Sequence, residues 1–175
     1  MAYKFIDNSD DYKTKMRKRA MQGLEACGQQ AVSYAKKEIT EQVPRNSGSW
    51  STPTGALRNS MSHTRDDDNL VVYVGTNLSY AKYNEYGTGI YADGGNGKQG
   101  FWVFVPSGEK EGTSVGSAKV YTEEQARRIV AYLKSQGLDA HMTNGMKPLH
   151  FLKNAIEKHK EEYKEIQIEY MKKAL

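Results

Sequence analysis

Cysteine is nearly missing from this chain, with Cys27 alone among 175 residues. One thiol cannot build an intrachain disulfide framework, which suits assembly in a reducing cytoplasm. Long apolar runs are missing too. No stretch approaches the roughly 18 residues that a membrane-spanning helix needs. Met1-Ala2-Tyr3-Lys4-Phe5 carries no signal-peptide hydrophobic segment, so a soluble chain not exported by that route is expected. Apolar content is low, at 38% with a mean hydropathy of -0.77, which predicts a thin core and a wet surface.

The patterns of several chemistries are also missing. His63, His141, His150 and His159 are the candidate bases or ligands, and none pairs at i, i+4. On a single helix His150 and His159 would point to opposite sides. Cys27 lies within an apolar stripe, where it reads as a small hydrophobe rather than a nucleophile. No Gly-x-Ser-x-Gly elbow occurs, and Glu85 has no titratable neighbour in sequence that would make it a general base. Asp66-Asp67-Asp68-Asn69 lacks the spaced ligands, glycine and distal glutamate of a calcium loop, and reads as a hairpin turn. The glycines at 87, 89, 94, 95, 97 and 100 do not spell a phosphate-binding turn. No enzyme, cofactor or metal is expected.

Charge is present but uneven. The net +4 lies on the two ends: residues 1–43 carry eight basic against six acidic groups, and residues 146–175 seven against five. Lys15, Arg17, Lys18 and Arg19 form the tightest cluster. Weak attraction to DNA is one reading, and a solvated helix face is the plainer one. No helix-turn-helix or zinc module supports sequence-specific readout.

A single α+β domain over 1–175 is expected: a small, mostly antiparallel sheet packed by long N- and C-terminal helices. Residues 9–43 read as one helix with Met16, Ala20, Leu24, Cys27, Ala31, Tyr34 and Ile39 as its stripe, ended by Pro44. Gly23 and Gly28 either weaken it or admit a close neighbour. Trp50 falls in a Ser/Gly-rich loop, and Thr54 caps a short helix. Residues 54–105 hold the sheet core with a short helix and a glycine loop. The strand Phe101–Val105 is nearly all apolar, implying burial on both faces or an interface on one. A second flexible loop follows, with Pro106 and glycines at 108, 112 and 116. Residues 120–143 read as an inserted strand–helix–strand unit of βαβ-like form, opened by a Thr122/Gln125 capping box. Residues 148–175 read as one final helix, and Leu24 and Ile156 lie mid-stripe as candidate core residues.

The densest signal is Tyr80-Ala81-Lys82-Tyr83-Asn84-Glu85-Tyr86-Gly87-Thr88-Gly89. Tyr80, Tyr83 and Tyr86 share one face of a short helix that Gly87 ends. Such a piece is a docking element, with aromatic bodies to pack and hydroxyls to bond. Tyr80 or Tyr83 is expected to be mostly buried, and Glu85 to pair with a base, Arg58 first. The loop Gly87–Gly100 is expected to be mobile, or to be an interaction arm whose shortening leaves thermal stability nearly unchanged.

With Thr54-Gly55-Ala56-Leu57-Arg58-Asn59-Ser60-Met61, Val72-Tyr73-Val74-Gly75-Thr76-Asn77 and Pro148-Leu149-His150-Phe151-Leu152, this order resembles the neck and tail-completion family of long-tailed phages, typified by the gene-ten product of HK-type lambdoid phages. In the late motif two residues separate Pro148 from Phe151, where many members have none or few. The resemblance implies a virion structural protein forming a homo-oligomeric ring, most simply a hexamer, at the head–tail junction. Its implied partners are head-closure and tail-terminator or tail-tube proteins, with genomic DNA passing non-specifically and no membrane involved. Candidate interface residues are Arg58, Tyr80, Tyr83 and Glu85, together with Tyr86, Gly87, Trp102 and Phe151. The alternative is a small basic adaptor that binds nucleic acid or a host protein.

Overall fold

The computed structural model describes residues 7–42, 55–105 and 119–173. Pro44, Trp50, Thr54 and the second glycine loop with Pro106 lie outside them. The class is α+β, with long terminal helices and two small antiparallel two-stranded sheets in place of one. The chain divides into two compact units: residues 1–40, 54–78 and 151–175 form the first, and residues 41–53 and 79–150 the second.

Helix α1, Ser9–Gln42, opens with Asp10 and Asp11, where carboxylates favour the positive end of the helix dipole. Its buried positions are Met21, Gly23, Gly28, Ala31, Ala35, Glu38 and Ile39. The stripe is thus rotated from the expected one, because the two glycines mark the closest neighbours. A Cβ on Gly28 would stand 2.5 Å from Val72 Cγ1, and one on Gly23 would stand 2.0 Å from Gln167 Oε1. Helix α2, Gly55–Ser60, buries Leu57. Strands β1, Ser62–Asp66, and β2, Val71–Gly75, pair antiparallel with His63 opposite Val74. The three-aspartate segment is their turn: Asp66 Oδ1 accepts from the amides of Asp68 at 3.1 Å and Asn69 at 3.0 Å. These bonds, with that from the Asn69 side chain foremost, hold the Asp66 carboxyl below its usual range.

The expected final helix is two. In chain order α3, Ala81–Tyr86, and α4, Glu123–Ser135, belong to the second unit; α5, Phe151–Glu157, and α6, Lys160–Lys172, close the first. His159 leaves helical geometry between them and stacks on Tyr34 with ring centroids 3.3 Å apart. Tyr34 Oη donates to Glu162 at 2.6 Å, and Tyr163 Oη donates to Ala155 O at 2.8 Å. Tertiary bonds, rather than Pro or Gly, hold the break. Glu38 is buried and receives Lys158 Nζ at 2.5 Å and Asn154 Nδ2 at 3.2 Å, so its charge is paired. The apolar core here is small: Met21, Ala31, Ala35, Ile39, Leu57, Met61, Phe151 and Ala155. Leu24 is only half-buried and Ile156 is 52% exposed, which overturns their expected core positions.

The second unit starts with α3, Ala81–Tyr86, and two short 3-10 turns at Gly89–Tyr91 and Asp93–Gly95. Strand β3, Trp102–Phe104, pairs antiparallel with β4, His141–Thr143, and α4, Glu123–Ser135, lies between them in sequence. The capping box forms as expected: Gln125 N donates to Thr122 Oγ1 at 3.3 Å, and Thr122 N to Gln125 Oε1 at 3.1 Å. The βαβ-like reading is corrected. The first expected strand is a single bridge from Tyr121 to Phe101, and the second joins β3 antiparallel, so there is no parallel crossover. Val103, Ala126 and Ala140 form the core, packed by Phe101, Tyr121 and Ile129 among others. In β3 only Val103 is buried, so the strand covers one face rather than two.

Phe151→Ala is expected to cost about 3–5 kcal/mol, since it empties a fully buried site. Ile156→Ser should stay within about 0.5 kcal/mol, as for other exposed positions. Urea denaturation of the two variants checks both. A second expectation concerns pH. Burial, then the neighbouring Tyr34, Glu162 and Cys27, push the Tyr163 phenol up to about 12. The folded state therefore favours the neutral phenol, and this contribution is complete below pH 10 and is lost as pH rises towards 12. Tyr163→Phe should give a shallower fall in the urea midpoint between pH 10 and 12 than the unmodified chain.

Candidate interface site

Helix α3 has no side-chain cap, and its lengths of bonded backbone come from elsewhere in its unit. Leu149 N donates to Asn84 O at 2.7 Å, and His150 N to Glu85 O at 3.2 Å. Thr88 N donates to Met146 O at 2.9 Å, Met146 N to Thr88 Oγ1 at 3.0 Å, and Ile90 N to Asn144 O at 3.0 Å. The last carbonyls of a short helix are thereby satisfied by the segment Asn144–His150. Such close backbone approach requires glycine. Gly89, with φ +62°, would place a Cβ 2.0 Å from Asn144 O, and Gly87, with φ +73°, one 2.8 Å from Met146 O.

This packing corrects the expectation for the glycine loop. Gly87 and Gly89 are buried, and a Cβ on Gly97 would lie 1.9 Å from Gly89 O. Much of Gly87–Gly100 is therefore fastened in place, and shortening it would remove packed backbone. Gly95, by contrast, has open space around it.

The face that α3 buries is Ala81, Asn84 and Glu85, at i, i+3 and i+4. The tyrosine face is turned outward, with Tyr80 37%, Tyr83 50% and Tyr86 59% exposed. The expected burial of Tyr80 or Tyr83 is thus overturned. Two adjacent stripes cannot both face the core on a six-residue helix, and the segment Asn144–His150 covers the other one. Ile90 and Tyr91 are exposed just after the helix, and Lys82 Nζ lies 5.0 Å from the Tyr83 ring centre. Large exposed aromatics on a well-fastened element are the composition of a docking face.

The remaining candidates lie elsewhere. Arg58 is exposed on α2 in the first unit, while Glu85 is buried in the second. Trp102 is half-buried, with Lys98 Nζ 5.7 Å from its ring centre. Phe151 is fully buried within the core of its own unit. Ser60 and Thr76, from two of the recurrent motifs, share a hydrogen bond of 2.6 Å that ties the end of α2 to the hairpin. Ile156, expected in the core, and Ile168, which the sequence did not single out, are both exposed.

The histidines are dispersed. His141 meets Asp139 at 2.8 Å, His150 meets Asp93 at 3.5 Å, and His159 meets Glu162 at 3.3 Å. Among the described residues, no cluster of His, Cys, Asp or Glu has the grouping of a metal site, and no helix is long and apolar enough to cross a membrane.

Gly89→Ala is expected to cost at least about 2 kcal/mol, combining left-handed strain with a backbone clash. Gly95→Ala should cost about 1 kcal/mol, from strain alone. Thermal melting of both variants checks the order.

Residues 3–87 match the family model HK97-gp10_like, described as "Bacteriophage HK97-gp10, putative tail-component". The match takes in α1, α2, the β1–β2 hairpin and α3, and it ends on Gly87. No curated protein and no solved structure matches the chain. Over residues 3–87, close to half its length, the chain is similar to the HK97-gp10-like family, described as a "putative tail-component".

Proposed function

We propose that this phage structural protein builds a ring at the head–tail junction of the virion, between head-closure and tail-terminator or tail-tube proteins, with DNA passing through its centre. The observation that carries the reading is the outward tyrosine row of α3 at the end of the family-matched span. Rings form when one patch of a subunit meets a different patch of the next, and the rotation closes. Tyr80, Tyr83 and Tyr86 offer apolar area at small entropic cost, with hydroxyls at the rim. The small core of the first unit fits the same picture, because the chain leaves apolar surface for neighbours to cover. The role is structural, and no residue is assigned to catalysis.

A second reading rests on one feature. Arg17, Lys18 and Arg65 line a cleft of about 440 Å³ in the first unit, which favours a small basic adaptor for nucleic acid. Its cations are partly engaged: Arg65 pairs with Glu25 at 2.7 Å and Asp67 at 2.8 Å, and Arg17 donates to Asp67 O at 3.0 Å and to Asp68 O.

Light scattering of the purified chain, read with the A260/A280 ratio, separates the two. Ring formation predicts concentration-dependent oligomers free of nucleic acid. A monomer that co-purifies with nucleic acid would reject the ring in favour of the adaptor. Tyr83→Ser with Tyr86→Ser should weaken the oligomer at least about tenfold while leaving the melting temperature within about 2 °C, as for exposed sites.

A further inference from the structure

In the first unit, α1 and the α5–α6 pair leave an open groove of about 530 Å³ with an almost wholly apolar lining. Leu24 and Cys27 stand on one wall, Ile156 and Ile168 on the other, and Lys160 and Lys164 lie between the two isoleucines. Ile156 and Ile168 are each more than half exposed. Lys164 pairs with Glu161 at 2.6 Å on the open surface, a contact weak enough to exchange.

A second surface is equally uncovered and opposite in charge. Every residue from Asp7 to Lys15 is exposed, so the first turns of α1 are largely open to solvent. In sequence, Tyr3, Phe5 and Ile6 precede Asp7, Asp10 and Asp11, an apolar stretch followed by acids. Apolar groove with lysines and apolar segment with aspartates are complementary. We propose that residues Tyr3–Asp11 of one copy dock in the groove of the next, forming a head-to-tail contact. The inference rests on the ring reading and names one of its interfaces.

Reach decides between the same copy and another. Fully extended, the chain from Ser9 back to Tyr3 covers about 22 Å. Cys27 lies about 27 Å along α1 from Ser9. Ile156 lies farther still: Asn154 is bonded to Glu38 and His159 is stacked on Tyr34, which puts Ile156 about 40 Å from Ser9. Folding back within one copy therefore leaves the Cys27 and Ile156 end of the groove unfilled. Charge decides against two grooves facing each other. A two-fold antiparallel pairing that set Ile156 against Ile168 would set Lys160 against Lys164 and gather four ammonium groups. A heterologous contact avoids that repulsion and is the kind that closes into a ring.

The lone native thiol supplies the test. Ile6→Cys is introduced into the full chain, oligomers are measured by light scattering, and the sample is mildly oxidised. An intramolecular bond to Cys27 is barred, because about 16 Å remains after full extension and a disulfide spans less than ~7 Å between Cα atoms. The expected result is a ladder of covalent oligomers on a non-reducing gel, missing from Ile6→Cys with Cys27→Ser and from the unmodified chain. Lys160→Glu with Lys164→Glu, both surface changes, should cut the crosslinked fraction at least about tenfold, since like charges then meet. Adding Asp10→Lys with Asp11→Lys should restore it. Oligomers without a ladder, or a ladder indifferent to charge reversal, overturn the arm contact and leave the ring standing. A monomer at every concentration overturns both.

Discussion

Gly28 sets the terms for the first unit. A Cβ there would come within 2.5 Å of Val72 Cγ1, so the hairpin rests directly on the backbone of α1. Gly23 admits Gln167 and Tyr170 of α6 in the same way one turn and a half earlier. Close approach of this kind uses small residues, and the buried positions that follow are Ala31 and Ala35. Bulky side chains such as Leu24, Ile156 and Ile168 are displaced to the outside as a consequence. A thin core and an exposed apolar groove are therefore two results of one constraint.

The second unit follows the same logic with other residues. Gly87 and Gly89 let the chain after α3 run against Asn144–Leu149 by backbone hydrogen bonds. With Ala81, Asn84 and Glu85 turned inward, the tyrosines have only one way to face. The tyrosine face is held in place because the glycines behind it are packed. Its chemistry can thus be presented without the ordering cost that a loose loop would carry into an interface.

Much of this was legible in the residues. Helix α1, the Asp66 hairpin turn, the Thr122 capping box and the Gly87 stop all follow from local rules. What was not legible depends on contacts distant in sequence. The break at His159 needs Tyr34 and Glu162, and nothing in its own neighbourhood marks it. The periodicity of Tyr80, Tyr83 and Tyr86 identified a face but not its direction, because an aromatic stripe suits a core and an interface alike. Ile156 and Leu24 misled for the same reason. Glu38 was invisible as a buried charge, since its partners Asn154 and Lys158 stand on α5 and just beyond it.

Similarity over residues 3–87 to a phage tail-component family and two uncovered apolar surfaces are what support the proposal that the chain finishes its burial on assembly. Hydroxyl-radical footprinting by mass spectrometry tests this most directly, comparing the free chain with intact virions. The account predicts strong modification of Tyr83, Tyr86, Ile156 and Ile168 in the free chain, and at least about tenfold protection in the particle. Equal modification in both states would contradict it.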